Sequence, residues 1–295
     1  MFKTLFLISL MILPFSHVLG KVTVKWMSVA SFVIDDGETK IMLDPMFTRA
    51  GMKHWLNLSK FKSDEELVKK VLNDSDLMKV NALFASHSHF DHVVDAPMVA
   101  KLTGGTFYTD ESSEIIAKAY KDQAIKTQLI QNKMPIQIGK FKVTPVKRGH
   151  NSIALQLDFL PGQVPADFDF GFYDYHVGDT WFYLIEHPEG VILIDQGGNS
   201  YLEEAMALTT KADVLIQGVA NRVSDEEYLA GYFNHFRPKV FIPSHFDNFL
   251  FSFNPRQESL LPFTNIERLF QKMTLNNTAI KAVMPKYNEE IVILE

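Results

Sequence analysis

Four of the six residues from 87 to 92 carry side chains that bind transition metals. The segment reads His87-Ser88-His89-Phe90-Asp91-His92. Imidazole and carboxylate are the ligands that suit zinc when cysteine is absent, and this chain contains no cysteine. In extended backbone His87 and His89 project to the same side. A turn after them would aim Asp91 and His92 at a second point about 3.5–4 Å away, the spacing of two-metal sites.

A two-metal site of this kind indicates hydrolysis. Two divalent ions lower the pKa of a shared water towards about 7, so that hydroxide forms at neutral pH. That hydroxide can attack a carbonyl carbon or a phosphorus, and the ions stabilise the oxyanion that develops. The sequence shows no Gly-x-Ser-x-Gly motif, phosphate-binding loop or dinucleotide fingerprint that would supply a rival active site.

The metal-binding segment follows an apolar run, Val80–Ser86, inside an alternating pattern of strands and helices. Ser63–Leu72 is predicted to be a helix with Ser63 as its cap. Further strands are predicted at Lys21–Trp26, Ser31–Asp35, Lys40–Leu43, Thr106–Thr109, Pro135–Ile138, Phe141–Val146, Thr180–Ile185, Val191–Ile194, Val214–Gln217 and Lys239–Pro243. Further helices are predicted at Glu114–Tyr120, Tyr201–Leu208 and Asp225–Phe233. This alternation in both halves predicts two packed sheets with helices outside.

The His-x-His-x-Asp-His string after an apolar strand resembles the metallo-β-lactamase superfamily. Four other segments carry the same resemblance: Lys40–Pro45 with Asp44, Arg148-Gly149-His150, Val191–Gly197 with Asp195, and Phe241–His245. Their order is most similar to the branch that contains ascorbate-6-phosphate lactonase and the N-acylphosphatidylethanolamine-hydrolysing phospholipase D. The implied fold is α/β (α+β), a four-layer αββα sandwich over residues 21–295.

The resemblance also implies a ligand set and two zinc ions per chain. One ion would be held by His87, His89 and His150. The other would be held by Asp91, His92 and His245, and Asp195 would bridge the two ions. Asp91 and Asp195 would then be the catalytic carboxylates, because they orient the hydroxide and can accept its proton.

Several assignments have rivals in the sequence. Asp179 lies in a Gly-Asp-Thr triplet that the lactonase-like branch uses around its bridging Asp, whereas Asp195 ends an apolar strand, so Asp195 is favoured. His245 is favoured over three other histidines because it alone follows an apolar strand; these are His176, His187 and His235. Asp44 is either a residue that orients a ligand imidazole or a plain turn former before Pro45. The aromatic stretch Asp158–Trp181 is either a wall for an apolar substrate or a covering for the core.

The N-terminus predicts export. Met1-Phe2-Lys3 precedes the apolar run Leu5–Leu13, which is shorter than the about 20 residues of a membrane-spanning helix. We therefore expect a signal peptide at residues 1–20, or alternatively an uncleaved anchor, and a secreted or periplasmic protein without a stable membrane span after cleavage. The net charge of −6, about −7 after loss of Lys3, argues against a general nucleic-acid binder.

Three functions fit these features. The first is a zinc hydrolase that cleaves a lactone, ester, amide or phosphodiester in a small-molecule or lipid-like substrate. The second is an iron-dependent oxygenase, because the superfamily also hosts iron chemistry. The third is a metal-binding module without turnover, which the seven candidate ligands argue against. The spacing of the motifs does not name the substrate or the oligomeric state.

Overall fold

The two strand-rich halves of the sequence form two β-sheets, each with seven strands in the part of the chain that the computed structural model describes. It describes residues 20–150, 159–197, 206–220, 225–250, 253–254, 260–261, 264–276 and 279–295. The strands are β1 (Val22–Ser28), β2 (Ser31–Asp35), β3 (Lys40–Leu43), β4 (Ala82–Phe84), β5 (Thr106–Thr109), β6 (Lys126–Leu129), β7 (Ile136–Ile138), β8 (Phe141–Arg148), β9 (Thr180–His187), β10 (Gly190–Asp195), β11 (Val214–Gly218), β12 (Val240–Ser244), β13 (Lys281–Ala282) and β14 (Glu290–Leu294). The helices in the described ranges are α1 (Met52–Trp55), α2 (Glu65–Asp74), α3 (Phe90–Val93), α4 (Ala96–Thr103), α5 (Glu111–Ala119), α6 (Asp225–Phe236) and α7 (Ile266–Asn276).

Each sheet has an antiparallel part and a parallel part. The first sheet has the order β14-β1-β2-β3-β4-β5-β6, and the second has the order β13-β12-β11-β10-β9-β8-β7. Pairing is antiparallel from β14 to β3 and parallel from β3 to β6. In the second sheet it is parallel from β13 to β10 and antiparallel from β10 to β7.

Alternating side chains place the central strands between two apolar layers. On β2, Phe32 and Ile34 face the second sheet and share a buried cluster with Ile192, whereas Val33 packs with Leu72 on the helix side. This period of two is the pattern expected for a strand that is buried on both faces. On the far side of the second sheet, Phe233 and Phe236 of α6 and Leu269 of α7 extend the same cluster. The layers therefore run helix, sheet, sheet, helix, and the predicted four-layer sandwich is confirmed.

The cap of α2 differs from the prediction. The helix begins at Glu65, and Oδ1 of Asp64 accepts a hydrogen bond of 3.1 Å from the backbone of Leu67. Ser63 lies one residue before this cap, and its hydroxyl instead donates to Oδ1 of the buried Asp95 at 2.6 Å. Ser63 thus connects the loop before α2 to the start of α4, a tertiary contact that local sequence does not show.

Two predictions fall on residues outside the described ranges. Residues 1–19 of the expected signal peptide and most of the helix expected at Tyr201–Leu208 are among them. Within the part of the chain that is described, no helix has both the length and the apolar character to cross a membrane.

The ends of five strands meet at one edge of the sandwich. Asp44, Ser86, Asp195 and His245 lie at or just after the ends of β3, β4, β10 and β12, and His150 follows β8. A rigid sheet thereby fixes side chains that loops contribute, which is a common arrangement for functional residues.

Candidate metal centre

Helix α3 begins inside the segment from His87 to His92. His89 is extended, with φ −60° and ψ 147°, and α3 begins directly after it at Phe90. Phe90 is buried against the helix-side core of the first sheet and anchors the segment there. This geometry confirms the expected turn: His87 and His89 share one side, and Asp91 and His92 follow from the helical turn.

Three histidines form the first cluster. His87, His89 and His150 each place a ring nitrogen within 4.8 Å of the others. Nε2 of His87 lies 3.0 Å from Nδ1 of His89. The ring of His150 lies 4.7 Å from that of His87 and 4.8 Å from that of His89, measured between centroids. β8 therefore delivers His150 to the two histidines that follow β4.

A carboxylate and two histidines form the second cluster. Ligand atoms of Asp91, His92 and His245 also lie within 4.8 Å of one another. Oδ2 of Asp91 is 3.0 Å from Nε2 of His245 and 3.7 Å from Nε2 of His92. The clusters are neighbours, because the ring centroids of His87 and His92 are only 3.9 Å apart.

Hydrogen bonds fix which nitrogen of each ring faces inwards. The Oγ atom of Ser86 lies 3.0 Å from Nδ1 of His87 and 3.1 Å from Nδ1 of His92. Nε2 of His89 donates to the backbone carbonyl of Phe159 at 2.7 Å. Because a carbonyl only accepts, this bond leaves Nδ1 of a neutral His89 with its lone pair directed at His87. Such lone pairs converge stably around a cation, so the cluster fits a metal ion.

Asp44 combines the two roles that the sequence left open. Asp44 is fully buried and has a backbone φ of 45°. Its Oδ1 accepts a hydrogen bond of 2.6 Å from the backbone N–H of Ser86. Its Oδ2 lies 3.1 Å from Nδ1 of His92. The carboxylate therefore shapes the turn after β3 and also contacts the outer nitrogen of a candidate ligand, as carboxylates do behind metal-bound histidines.

Burial and neighbouring charges shift the titration of the clustered groups. Burial lowers the pKa of His89 to about 4 and holds that of His87 well below its ordinary range. Burial alone would also lower the pKa of His92, but the carboxylates of Asp91 and Asp44 outweigh it and raise that pKa. For Asp91, burial raises the pKa, but the imidazoles of His92 and His245 outweigh burial and lower it. In this environment Asp91 is ionised and His87 and His89 are neutral at pH 7, the forms that bind metal.

Asp195 lies at the end of β10, outside both clusters. Its Oδ2 accepts hydrogen bonds from Nη1 of Arg148 and from the hydroxyl of Tyr232. Its Oδ1 is buried without a hydrogen-bond partner among the described residues. Burial raises the pKa of Asp195, and Arg148 opposes this effect. A bare buried carboxylate oxygen is costly, so Oδ1 is the atom left available to a cation.

The rival Asp179 has a different environment. Its carboxylate pairs with Nζ of Lys147 at 2.7 Å near the surface, and its backbone N–H donates to Asp110 at 3.0 Å. The neighbouring Gly178 has φ 64°, and a Cβ there would lie 2.6 Å from Oγ of Ser88. In the structure, the Gly-Asp-Thr triplet therefore packs behind the segment that carries His87 and His89.

Comparisons with known proteins agree with this geometry. The sequence profile of the β-lactamase superfamily domain matches residues 23–245. The chain belongs to the metallo-β-lactamase superfamily. A protein of Anaeromyxobacter sp. strain K, named as a UPF0173 metal-dependent hydrolase, is 28% identical over 238 residues, covering 78% of this chain and 76% of its own. A protein of the same name from Thermodesulfovibrio yellowstonii is 24% identical, and the match covers 84% of this chain and 86% of that protein.

Solved structures of other proteins share the fold of this superfamily member. Igni18, a metallo hydrolase of Ignicoccus hospitalis, aligns with a TM-score of 0.57 at 15% identity, over 92% of this chain and 97% of its own. CmlA, a diiron β-hydroxylase of Streptomyces venezuelae, aligns with a TM-score of 0.58 at 9% identity. The alignment covers 92% of this chain and 54% of CmlA. The fold is thus shared by proteins with different chemistry. The relatives found by sequence are named as metal-dependent hydrolases.

The rival histidines of this superfamily member are engaged elsewhere. Among the described residues, His176 contacts the carbonyl of Pro161 at 2.7 Å and His235 that of Thr209 at 3.1 Å. His187 is buried at the other end of the sandwich, 3.4 Å from Asp36. None of the three joins either cluster in the described part of the chain.

Sequence reasoning missed the residues that hold His245. The backbone N–H of His245 donates to the carbonyl of Val29 at 3.0 Å, and Nε1 of Trp26 donates to the same oxygen at 3.0 Å. Val29 has φ 50°, unusual for a β-branched residue, and its N–H donates to Asp247 at 2.9 Å. Strained turns of this kind cluster at functional sites. No local sequence motif predicts the turn at Val29, because its contact with His245 joins the two sheets.

Proposed function

We propose that the chain is a hydrolase with two divalent metal ions, zinc in the first instance, and that it cleaves a lactone, ester, amide or phosphodiester. The observation that carries the proposal is the pair of adjacent three-residue clusters, His87–His89–His150 and Asp91–His92–His245. When bound there, two ions would supply an acidified water and Lewis-acid stabilisation of the oxyanion.

The side chains of the chain have separate tasks in this proposal. Asp91, ionised at neutral pH, would orient the attacking water, and Asp195 would take part through its unpartnered Oδ1. Ser86 and Asp44 would hold the imidazoles of His87 and His92 in place by contacts to their outer nitrogens. Such supports preserve ligand geometry through the reaction.

Metal content and activity test this proposal together. The full chain should contain close to two equivalents of zinc, and a panel of lactones, β-lactams, esters and phosphodiesters should reveal turnover. His87→Ala and Asp91→Ala each remove a ligand of a different cluster, so each should weaken metal binding and lower turnover by at least ~100-fold. His176→Ala, at a half-buried histidine outside both clusters, should keep both properties. Less than one metal per chain with full activity would refute the proposal.

An iron-dependent oxygenase is the second candidate. The second cluster consists of two histidines and one carboxylate, a set that also occurs in non-haem iron oxygenases. Recovery of iron alone from cells, together with oxygen consumption by the purified protein, would favour this function over hydrolysis.

We also propose that the protein is exported. The support is the short basic start and the apolar run Leu5–Leu13. Mass spectrometry of the protein from periplasmic or culture fractions should find an N-terminus at Lys21. An intact N-terminus in a membrane fraction would indicate the uncleaved anchor instead.

A further inference from the structure

The segments that bear the candidate ligands contain no lysine or arginine. This holds for residues 86–100, 149–178, 195–210 and 240–254 in a chain with 29 basic residues. The same segments contain several acidic residues beyond Asp91 and Asp195. The local sequence around the metal centre is therefore anionic apart from any bound ions.

Three basic side chains next to these segments, all in the described part of the chain, are paired within the protein. Arg148 donates to Asp195, and Lys147 contacts Asp179 at 2.7 Å. Arg49 has a side chain only 7% exposed; it donates to the hydroxyl of Ser28 and lies 3.8 Å from Asp247. Phosphate and carboxylate groups of substrates are commonly bound by free arginine or lysine. These three cations are already paired within the protein, so an anionic substrate group would have to compete with those partners for them.

Two phenylalanine rings flank the two clusters. The ring of Phe159 lies 5.7 Å from that of His89, and the ring of Phe249 lies 5.3 Å from that of His245. Both phenylalanines are half-buried. Most of the aromatic stretch predicted as either a wall or a covering is a covering, because Phe168, Phe170, Phe172 and Tyr175 are buried in the core. Phe159, in contrast, lies beside the candidate ligand His89.

We infer that the substrate is a neutral carbonyl compound, an ester, lactone or amide, whose alkyl or aryl group packs against Phe159 and Phe249. This inference rests on the proposed function and narrows it, because it disfavours phosphodiesters. Apolar walls with few polar groups give affinity through burial, and the metal pair fixes the carbonyl. Each methylene buried against the rings should strengthen binding by up to about fourfold.

Binding of metal-chelating hydroxamates tests the inference without turnover. Calorimetry on the zinc-loaded full chain would compare acetohydroxamate, butyrohydroxamate, hexanohydroxamate and benzohydroxamate with phenylphosphonate. We expect affinity to rise two- to fourfold per methylene, and phenylphosphonate to bind more weakly than benzohydroxamate. Phe159→Ala and Phe249→Ala should flatten this dependence on chain length, while acetohydroxamate affinity should stay within about twofold. Phe159→Ala keeps the backbone carbonyl that holds His89.

Tyr173→Ala is the matched control. Tyr173 is an aromatic residue of the same stretch, 43% exposed, whose hydroxyl donates to the carbonyl of Trp55. The Tyr173→Ala variant should retain the full increase of hydroxamate affinity with alkyl chain length. Equal affinities along the alkyl series, or tighter binding of phenylphosphonate than of benzohydroxamate, would overturn the inference and leave the proposed function standing. A chain that binds no metal would overturn both.

Discussion

Arg148 donates a hydrogen bond to Oδ2 of Asp195, and the two side chains are 2% and 0% exposed. The pair spans the ends of β8 and β10, which are separated in the sheet by β9. It therefore links the strand that leads to His150 with the strand that carries the candidate bridging carboxylate. Breaking a buried ion pair by removing one partner is costly, because the remaining charge is left without compensation.

Asp195→Asn should have two effects, on stability and on turnover. In metal-free protein it leaves Arg148 without its counterion, and we expect the free energy of unfolding to fall by about 3–5 kcal/mol. With metal present, hydrolysis should fall by at least ~100-fold, a barrier rise of ~2.7 kcal/mol, because a carboxylate that would serve both ions loses its charge. Urea unfolding, metal analysis and kcat/KM per folded molecule measure these effects.

Asp179→Asn is the comparison variant for Asp195→Asn. It removes a surface pair with Lys147, which contributes at most about 1 kcal/mol, so stability and turnover should change little. Loss of activity in Asp179→Asn with retention in Asp195→Asn would assign the bridging role to the Gly178-Asp179-Thr180 triplet.

Asp44→Asn should weaken metal binding at the second cluster. The asparagine can retain an acceptor for the N–H of Ser86, but it replaces the carboxylate oxygen next to Nδ1 of His92 with an amide group. Loss of such a partner commonly lowers metal affinity by about 10–100-fold. Competition with a chromogenic zinc chelator measures the affinity. Asp35→Asn, at a partly exposed aspartate paired with Lys40, is the control and should leave it unchanged; equal affinities in both variants would contradict the role of Asp44.

Gly178→Ala should destabilise the protein more than Gly104→Ala. Both glycines have positive φ, 64° and 75°, so each alanine incurs about 1–2 kcal/mol of backbone strain. Only at Gly178 would the new Cβ meet Ser88, Ser112 and Asp110 within 2.8 Å, whereas nothing lies within 4 Å at Gly104. Overpacking should add about 1–3 kcal/mol and displace Ser88 between two ligands. Urea unfolding and zinc titration measure the stability and the zinc affinity of both variants. Equal stability and equal zinc affinity in the two variants would contradict the expected clash.

The metal-free protein should lose stability as the pH falls from 7 to 5. Burial lowers the pKa of His89 to about 4, so the unfolded chain binds the proton more readily between about pH 4 and 6.5. Between pH 7 and pH 5, His89 alone should lower the free energy of unfolding by about 2 kcal/mol. His87 acts in the same direction, and His92, whose pKa is raised, acts in the opposite one.

His89→Gln isolates the contribution of His89 to this pH dependence. Urea unfolding in the presence of a chelator should show a pH dependence that is shallower by about 2 kcal/mol than in the unchanged chain. His176→Gln, which replaces a half-buried histidine outside both clusters, is the control variant. Parallel profiles for His89→Gln and the unchanged chain would show that His89 is not held neutral by burial.

The sequence by itself indicated the fold class and the six candidate ligands of the two clusters. Period-two strands separated by helical segments specify layers, and each predicted ligand follows an apolar strand whose burial fixes where it emerges. His87, His89, Asp91 and His92 are close in sequence, so local geometry alone brings them together. His150 and His245 were assigned through the resemblance to the metallo-β-lactamase superfamily, and both follow strands that end at the same edge of the sandwich.

Tertiary structure alone decided the contacts that cross between sheets or loops. Asp64 replaced Ser63 as the cap of α2, and Ser63 instead donates to the buried Asp95. The pairing of Arg148 with Asp195, the support of His245 by Val29, and the position of Phe249 beside His245 join residues far apart in the chain. Periodicity and spacing describe one segment at a time, whereas hydrogen bonding and packing between segments depend on how the two sheets are placed.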